Sequence, residues 1–197
     1  MLSNVYGHFL IKAYPYFWKY RHFWDKDWAE SYASQQSILH PHRQLILNAI
    51  ETIGPFDSLV EYGCGGGANL ILLKEKYPKV TFYGLDISES ALRTAKKATK
   101  GLGITYYKKR CRWANVLLTD AFLIYKQSND SVLDWIDAFD AYVGCEWHSD
   151  EGPFLKEGHS VHNFKKLLPG CELRKLTWDD WQDDGWSTYG HIITWIR

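Results

Sequence analysis

At 197 residues, with 23 basic and 23 acidic side chains, the chain has room for one domain with a substantial core and carries no global field to draw it to nucleic acid or to an anionic membrane. Four widely spaced cysteines, Cys64, Cys111, Cys145 and Cys171, form no C-x-x-C pair, which argues against a zinc site or a disulfide framework and makes a reducing cytoplasm the expected location, with no metal. The opening MLSNVYGHFLIKAY is broken by His8 and Lys12 and lacks a basic start before a long apolar run, so it fits neither a signal peptide nor a membrane span.

Aromatic residues make up 16% of the chain, and their densest cluster is the segment YPYFWKYRHFWDKDW at 14 to 28, ahead of a helical stretch at 29 to 36. Pro41 opens the next helix, whose apolar stripe Leu45, Ile46, Ala49, Ile50 and Ile53 predicts packing on a sheet before Gly54-Pro55 ends it. Ser58 to Tyr62 then reads as a buried strand running into Gly63, Gly65, Gly66 and Gly67, with a helix from Ala68 directly after. Glycines there let main-chain N–H groups approach a ligand, and the strand, turn and helix order is the setting in which such a loop means nucleotide binding.

Charge selects among nucleotides. Gly63-x-Gly65-x-x-Ala68 also satisfies the dinucleotide fingerprint, but Glu61 at the strand end would repel a pyrophosphate and attract an ammonium or a sulfonium. The helix through Leu70, Leu72, Leu73 and Tyr77 stops at Pro78, and a strand from Val80 to Leu85 ends in Asp86. Ser88 is the expected N-cap of a helix burying Ala91, Leu92 and Ala95 and exposing Arg93, Lys96, Lys97 and Lys100.

The motif Glu61-x-Gly63-x-Gly65-x-Gly67, with Asp86 ending the following strand, resembles the class I S-adenosylmethionine (SAM) dependent methyltransferases over residues 41 to 98. The resemblance implies a doubly wound, mostly parallel α/β sheet, the Rossmann-like methyltransferase fold, with helices on both faces and a shortened C-terminal hairpin. It implies SAM as cofactor and S-adenosylhomocysteine (SAH) as product, with Asp86 accepting both ribose hydroxyls. It also makes 1–197 a single methyltransferase domain, divided into an aromatic N-terminal lid or cap at 1–40 and an α/β core at 41–197. Trp28 and Tyr32, with Trp24, would close on the methionine end of SAM, although an aromatic face docked on the sheet accounts for the same pattern.

Farther on, residues 104 to 113 are ambiguous between an edge strand and an extra helix, and Val116 to Leu118 is expected as the third strand. Asp120 at its end takes the place where the family often keeps an acceptor for the adenine amino group. Phe139 to Gly144 resembles the family's fourth strand, and its end at Glu146, His148 and Asp150 is the rim where chemistry is expected. His148 is the candidate general base, with Glu146 orienting the acceptor. A helix is expected within 153 to 170, through Val161, Phe164, Leu167 and Leu168. A fifth strand at 171 to 176, the loop TWDDWQDDGWSTYG and a final strand at 191 to 196 follow, leaving the sheet either short by a strand or closed by a hairpin.

Two surface patterns bear on the acceptor. Lys96, Lys97, Lys100, Lys108, Lys109, Arg110 and Arg112, with Tyr106, Tyr107 and Trp113, could follow a nucleic-acid backbone, yet such a run is ordinarily a solvated face. The Trp178 to Trp186 loop pairs carboxylates with aromatic faces, suiting an amine or quaternary ammonium, or is simply a solvated hairpin anchored by tryptophans. No Asn/Asp-Pro-Pro-Tyr/Phe sequence and no Pro-Cys pair follows the fourth strand, which disfavours base methylation. The expected function is methyl transfer to an O or N acceptor on a small molecule, with a nucleic-acid or protein methyltransferase and a non-catalytic SAM-binding protein as the alternatives.

Overall fold

The computed structural model describes residues 38–108, 113–126 and 129–197, and everything below concerns those residues. Helix α1 (His42–Thr52) buries Leu45, Ile46, Ala49 and Ile50 as its apolar period predicts, and it also buries His42 and Arg43. Strand β1 (Ser58–Tyr62) is buried on both faces beyond its first residue, which marks it as central, and it feeds through the glycine turn into α2 (Ala68–Lys76). Strand β2 (Thr81–Leu85) leads to α3 (Glu89–Ala98), whose cap is Ser88: its Oγ accepts from Ala91 N at 3.1 Å.

The ambiguous stretch contains an edge strand, β3 (Thr105–Tyr107), so β4 (Val116–Asp120) is the fourth strand and not the third. A 3₁₀ turn (Leu123–Tyr125), α4 (Asn129–Ile136) and β5 (Ala141–Trp147) follow. The helix expected through Val161 is largely replaced by a hairpin, β6 (Phe154–Lys156) and β7 (His159–Val161). Its cause is Glu157-Gly158, both at positive φ (52° and 83°), a two-residue turn whose twist suits antiparallel strands. Only α5 (Phe164–Leu167) remains helical there.

The C-terminal stretch forms β8 (Glu172–Lys175), two short helices α6 (Trp178–Trp181) and α7 (Asp184–Tyr189), and β9 (Gly190–Ile196). The main sheet has seven strands in the order β3-β2-β1-β4-β5-β9-β8, so no strand is missing. Pairs from β3 to β5 are parallel, and β9 runs antiparallel between β5 and β8, which supplies the expected C-terminal antiparallel pair.

Two cores cover the two faces, since alternate residues of a strand point to opposite sides. Leu59, Val116, Leu118 and Val143 pack with Ile46 and Ile50 of α1 and Leu70 and Leu73 of α2. Val60, Tyr62, Leu117 and Tyr142 pack with Val132 and Ile136 of α4 and Phe164 and Leu167 of α5. By the same alternation Glu61 and Asp120 lie on the α1/α2 face, at the carboxyl ends of adjacent strands. Among the described residues no helix is long and apolar enough to cross a membrane.

Candidate active site

The glycine turn is built by backbone geometry. Gly63, Gly65 and Gly67 all have positive φ (74°, 50° and 83°), a conformation that side chains with a Cβ rarely adopt. Gly63 has a second reason to be glycine, because a Cβ would lie 2.8 Å from Phe122 Cδ2. The turn is tied to the end of β2: Gly63 N and Cys64 N both donate to Leu85 O, at 2.7 and 3.0 Å. Asp86 completes the tie, with Oδ2 accepting from Gly65 N at 3.0 Å and Oδ1 from Ser88 N at 2.8 Å. The structure thus brings Gly63, Gly65, Gly67 and Asp86 together.

On the other side of β1 lies a buried polar cluster. Asn69, at the start of α2, donates from Nδ2 to Glu61 Oε1 at 2.7 Å and to Asp120 Oδ2 at 3.0 Å. Asp120 Oδ2 also meets His42 Nε2 at 3.0 Å and Arg43 Nη1 at 3.3 Å, and Arg43 Nη1 donates to Asn69 Oδ1 at 2.6 Å. Glu61 is 2% exposed and Asp120 8% exposed. Glu61 Oε2 and Asp120 Oδ1 have no hydrogen-bonding partner among the described residues. Two buried carboxyl oxygens left bare beside a glycine turn are what the cationic end of a ligand would satisfy, and leaving them bare is costly otherwise.

The two carboxyls differ in state. Burial pushes the Glu61 carboxyl up to about 8, helped by the Asp120 charge and opposed by the Asn69 hydrogen bond and by Arg43. Burial acts on Asp120 in the same direction, but His42, Arg43 and Asn69 together hold its carboxyl well below the usual carboxylate range. Asp120 therefore belongs at the end of β4, between the loop and α1, across β1 from Asp86. That placement moves it away from the Asp86 side, where an adenine neighbour was expected from counting β4 as the third strand.

The proposed reaction residues at the end of β5 do not join this cluster. Glu146 is fully buried with both oxygens taken by main chain: Oε1 accepts from Phe122 N at 3.0 Å, Oε2 from Leu123 N at 3.0 Å and Ile124 N at 3.2 Å. Burial raises its carboxyl to about 7 against those bonds. It anchors the turn after β4 instead of orienting an acceptor. His148 is 5% exposed, and its Nδ1 accepts from Phe164 N at 3.1 Å while Nε2 faces Asp150 Oδ1 at 3.3 Å. Its ring packs near Phe164, on the α4/α5 face, in a cleft of about 380 Å³ shared with Asp150, Lys165, Lys175 and His191. Burial lowers its basicity. Trp24, Trp28 and Tyr32 lie outside the described residues.

The acidic tryptophan loop is also structural. Asp180 Oδ2 accepts from Thr177 N at 2.8 Å and Asp183 Oδ1 from Trp186 N at 3.0 Å, so these carboxylates cap α6 and α7. Trp181 and Trp186 stack at 3.9 Å, and Trp181 lies 4.1 Å from the His42 ring and 5.2 Å from His40. His42, Arg43 and Asn69 were not singled out in the sequence, although a signal existed. His42 falls three and four residues before Leu45 and Ile46, inside the apolar stripe of α1, where a polar side chain must find a buried partner.

Residues 56–139 match the family model described as a methyltransferase domain. No curated protein matches the sequence significantly. Among solved structures, the chain is similar to geranyl diphosphate C-methyltransferase from Streptomyces coelicolor in complex with SAH, at a TM-score of 0.58 and 12% identity over 78% of this chain and 76% of that one. It is similar to Haemonchus contortus phosphoethanolamine N-methyltransferase 2 in complex with SAM, at 0.61 and 14% identity, covering 80% of this chain and 46% of that one. The O-methyltransferase of a Brevibacillus brevis trans-AT polyketide synthase multienzyme, in complex with SAH, gives 0.52 and 16%, with 64% and 49% covered. The chain thus spans about half the length of the last two, and one fold carries C-, N- and O-methylation among the three. Residues 56–139, which span β1 to β4, thus match a methyltransferase domain, and the seven-stranded sheet built around the glycine turn has the mostly parallel, Rossmann-like fold of these methyltransferase structures.

Proposed function

We propose that this protein transfers a methyl group from SAM to an O or N acceptor on a small molecule, binding the cofactor across the carboxyl ends of β2, β1 and β4. The observation that carries the reading is the pair of bare buried oxygens, Glu61 Oε2 and Asp120 Oδ1, set beside a positive-φ glycine turn that Asp86 ties down. Glu61 and Asp120 would hold the ammonium of the methionine end, and Asp86 the ribose hydroxyls. Gly63, Gly65 and Gly67 would allow the main chain to approach. SAM supplies a methyl group already activated on a sulfonium, so the chain's own work is to align an acceptor and let it lose a proton.

The nucleic-acid alternative gains little support. Among the described basic residues Lys108 is paired with Glu89, and the net charge of the chain is zero. A small acceptor and a cytoplasmic setting, the latter resting on the cysteine pattern, remain the favoured reading. Calorimetric titration with SAM, SAH and NAD tests the cofactor. One SAM or SAH site without NAD binding is the expected result, and NAD binding alone would reverse the assignment. Release of SAH over a panel of phenols, amines and oligonucleotides then separates a methyltransferase from a protein that only binds SAM.

A further inference from the structure

The end of β4 begins a line of three side chains, of which the methyl-transfer reading uses only Asp120. Asp120 Oδ2 lies 3.0 Å from His42 Nε2, and His42 Nδ1 lies 2.5 Å from His40 Nδ1. The carboxylate and the inner ring are buried, at 8% and 2% exposure, while His40 is half-buried. Arg43, Asn69 and the His42 ring surround the carboxylate, and Trp181 of α6 packs on both imidazoles.

With both rings neutral, hydrogen-bond chemistry gives this line one direction. An ionised carboxylate only accepts, so His42 donates from Nε2 and its Nδ1 is left as an acceptor. His40 must then donate from Nδ1, which leaves the Nε2 lone pair of His40 at the outer end. We propose that Asp120, His42 and His40 form a proton relay in which His40 Nε2 is the general base for an acceptor bearing an O–H group. This rests on the cofactor reading above and adds the acceptor class to it.

The step balances. The acceptor O–H bond breaks and its proton goes to His40 Nε2; the oxygen pair bonds the methyl carbon while the C–S bond of the sulfonium breaks with its pair going to sulfur. The positive charge then on His40 passes to His42 through the Nδ1 contact and rests against Asp120. A relay with a buried anion at its inner end suits an acceptor whose O–H proton must leave as the oxygen attacks, as with a phenol; a neutral amine attacks through its own lone pair and can lose its proton afterwards. The groups that face His40 also set its range. Burial lowers its basicity, with Arg43 acting in the same direction and Asp120 opposing, which favours the neutral ring from which the relay starts.

Long-range ¹H–¹⁵N NMR of the imidazoles, on the full chain with SAH, reads the relay directly. The expected spectrum shows His42 protonated at Nε2 and His40 protonated at Nδ1 with Nε2 bare. A His42 ring protonated at Nδ1 instead would overturn the proposal. Methyl transfer to phenol and to 4-nitrophenol, the latter largely ionised at neutral pH, gives the second readout. His40→Gln is expected to lose about 10²-fold or more with phenol, the range for a general base, and far less with the ionised nitrophenol, with SAH affinity unchanged. Equal losses on both phenols would also overturn it. Failure of the wild-type chain to bind SAH falls on the cofactor reading, and the tautomers report the relay independently of it.

Discussion

Glu61 and Asp120 hang from one side-chain amide, the Nδ2 of Asn69, which reaches them at 2.7 and 3.0 Å. Two carboxyls so close in a buried site do not both ionise readily, and the structure resolves this by holding Asp120 charged and Glu61 protonated. A ligand cation between them changes that balance.

Binding should therefore expel a proton. An ammonium beside Glu61 favours its carboxylate, so SAH binding near pH 7 is expected to release up to one proton. Calorimetry in buffers of different ionisation enthalpy would read it, and Glu61→Gln should abolish it. The same shift has a stability sign. Folding raises the Glu61 pKa from 4.5 to about 8, so its contribution to stability is present below the unfolded value and is lost as pH rises toward 8. Glu146 acts in the same direction. Free of ligand, wild type should thus lose stability relative to Glu61→Gln progressively between about pH 5 and 8, a difference from which the histidines of lowered basicity, which act in the opposite direction, cancel.

Asp120 carries the opposite sign. Its folded pKa is depressed, so its contribution is present above the ordinary carboxyl value near 4 and is lost as pH falls below it. Asp120→Ala leaves the buried Arg43 without that partner and is expected to cost about 3–5 kcal/mol, measured by urea unfolding at neutral pH. In acid the gap between wild type and variant should close. A constant gap down to pH ~2 would show that the pair is not what depresses this carboxyl.

Glu146 should behave as a structural anchor. Removing its carboxylate in Glu146→Ala leaves three main-chain N–H groups of the turn after β4 without acceptors, at about 1–3 kcal/mol for each that stays dry. A lowered urea midpoint with SAH affinity retained in the folded protein is the expected outcome. A variant of unchanged stability that had lost turnover would return Glu146 to the reaction centre.

The sequence showed the half of the site that is local. Strand, glycine turn, helix and Asp86 are contiguous, and each is dictated by residues within the segment: the buried run of β1, the positive-φ glycines, the Ser88 cap. What remained hidden depends on tertiary pairing. His42 and Asp120 meet only because α1 packs over β4, and nothing near either residue in the chain names the other. Glu146 and His148 lie at and just beyond the end of a strand buried on both faces, where position alone does not say which way a side chain points. Counting strands failed because β3 has only three residues, and the helix expected through Val161 failed on the Glu157-Gly158 turn, where a non-glycine residue takes a positive φ.

Asp86 is bonded to the glycine turn and is the residue proposed to hold the ribose hydroxyls, so it gives the most direct measurement of the central claim. Calorimetry with SAH on wild type and Asp86→Ala should show one site in wild type, weakened roughly tenfold to a hundredfold in the variant, as expected for losing a charge-assisted bond of about 1.5–3 kcal/mol. Equal SAH affinity in the two proteins, or binding of NAD in place of SAH, would contradict a SAM site built on this turn.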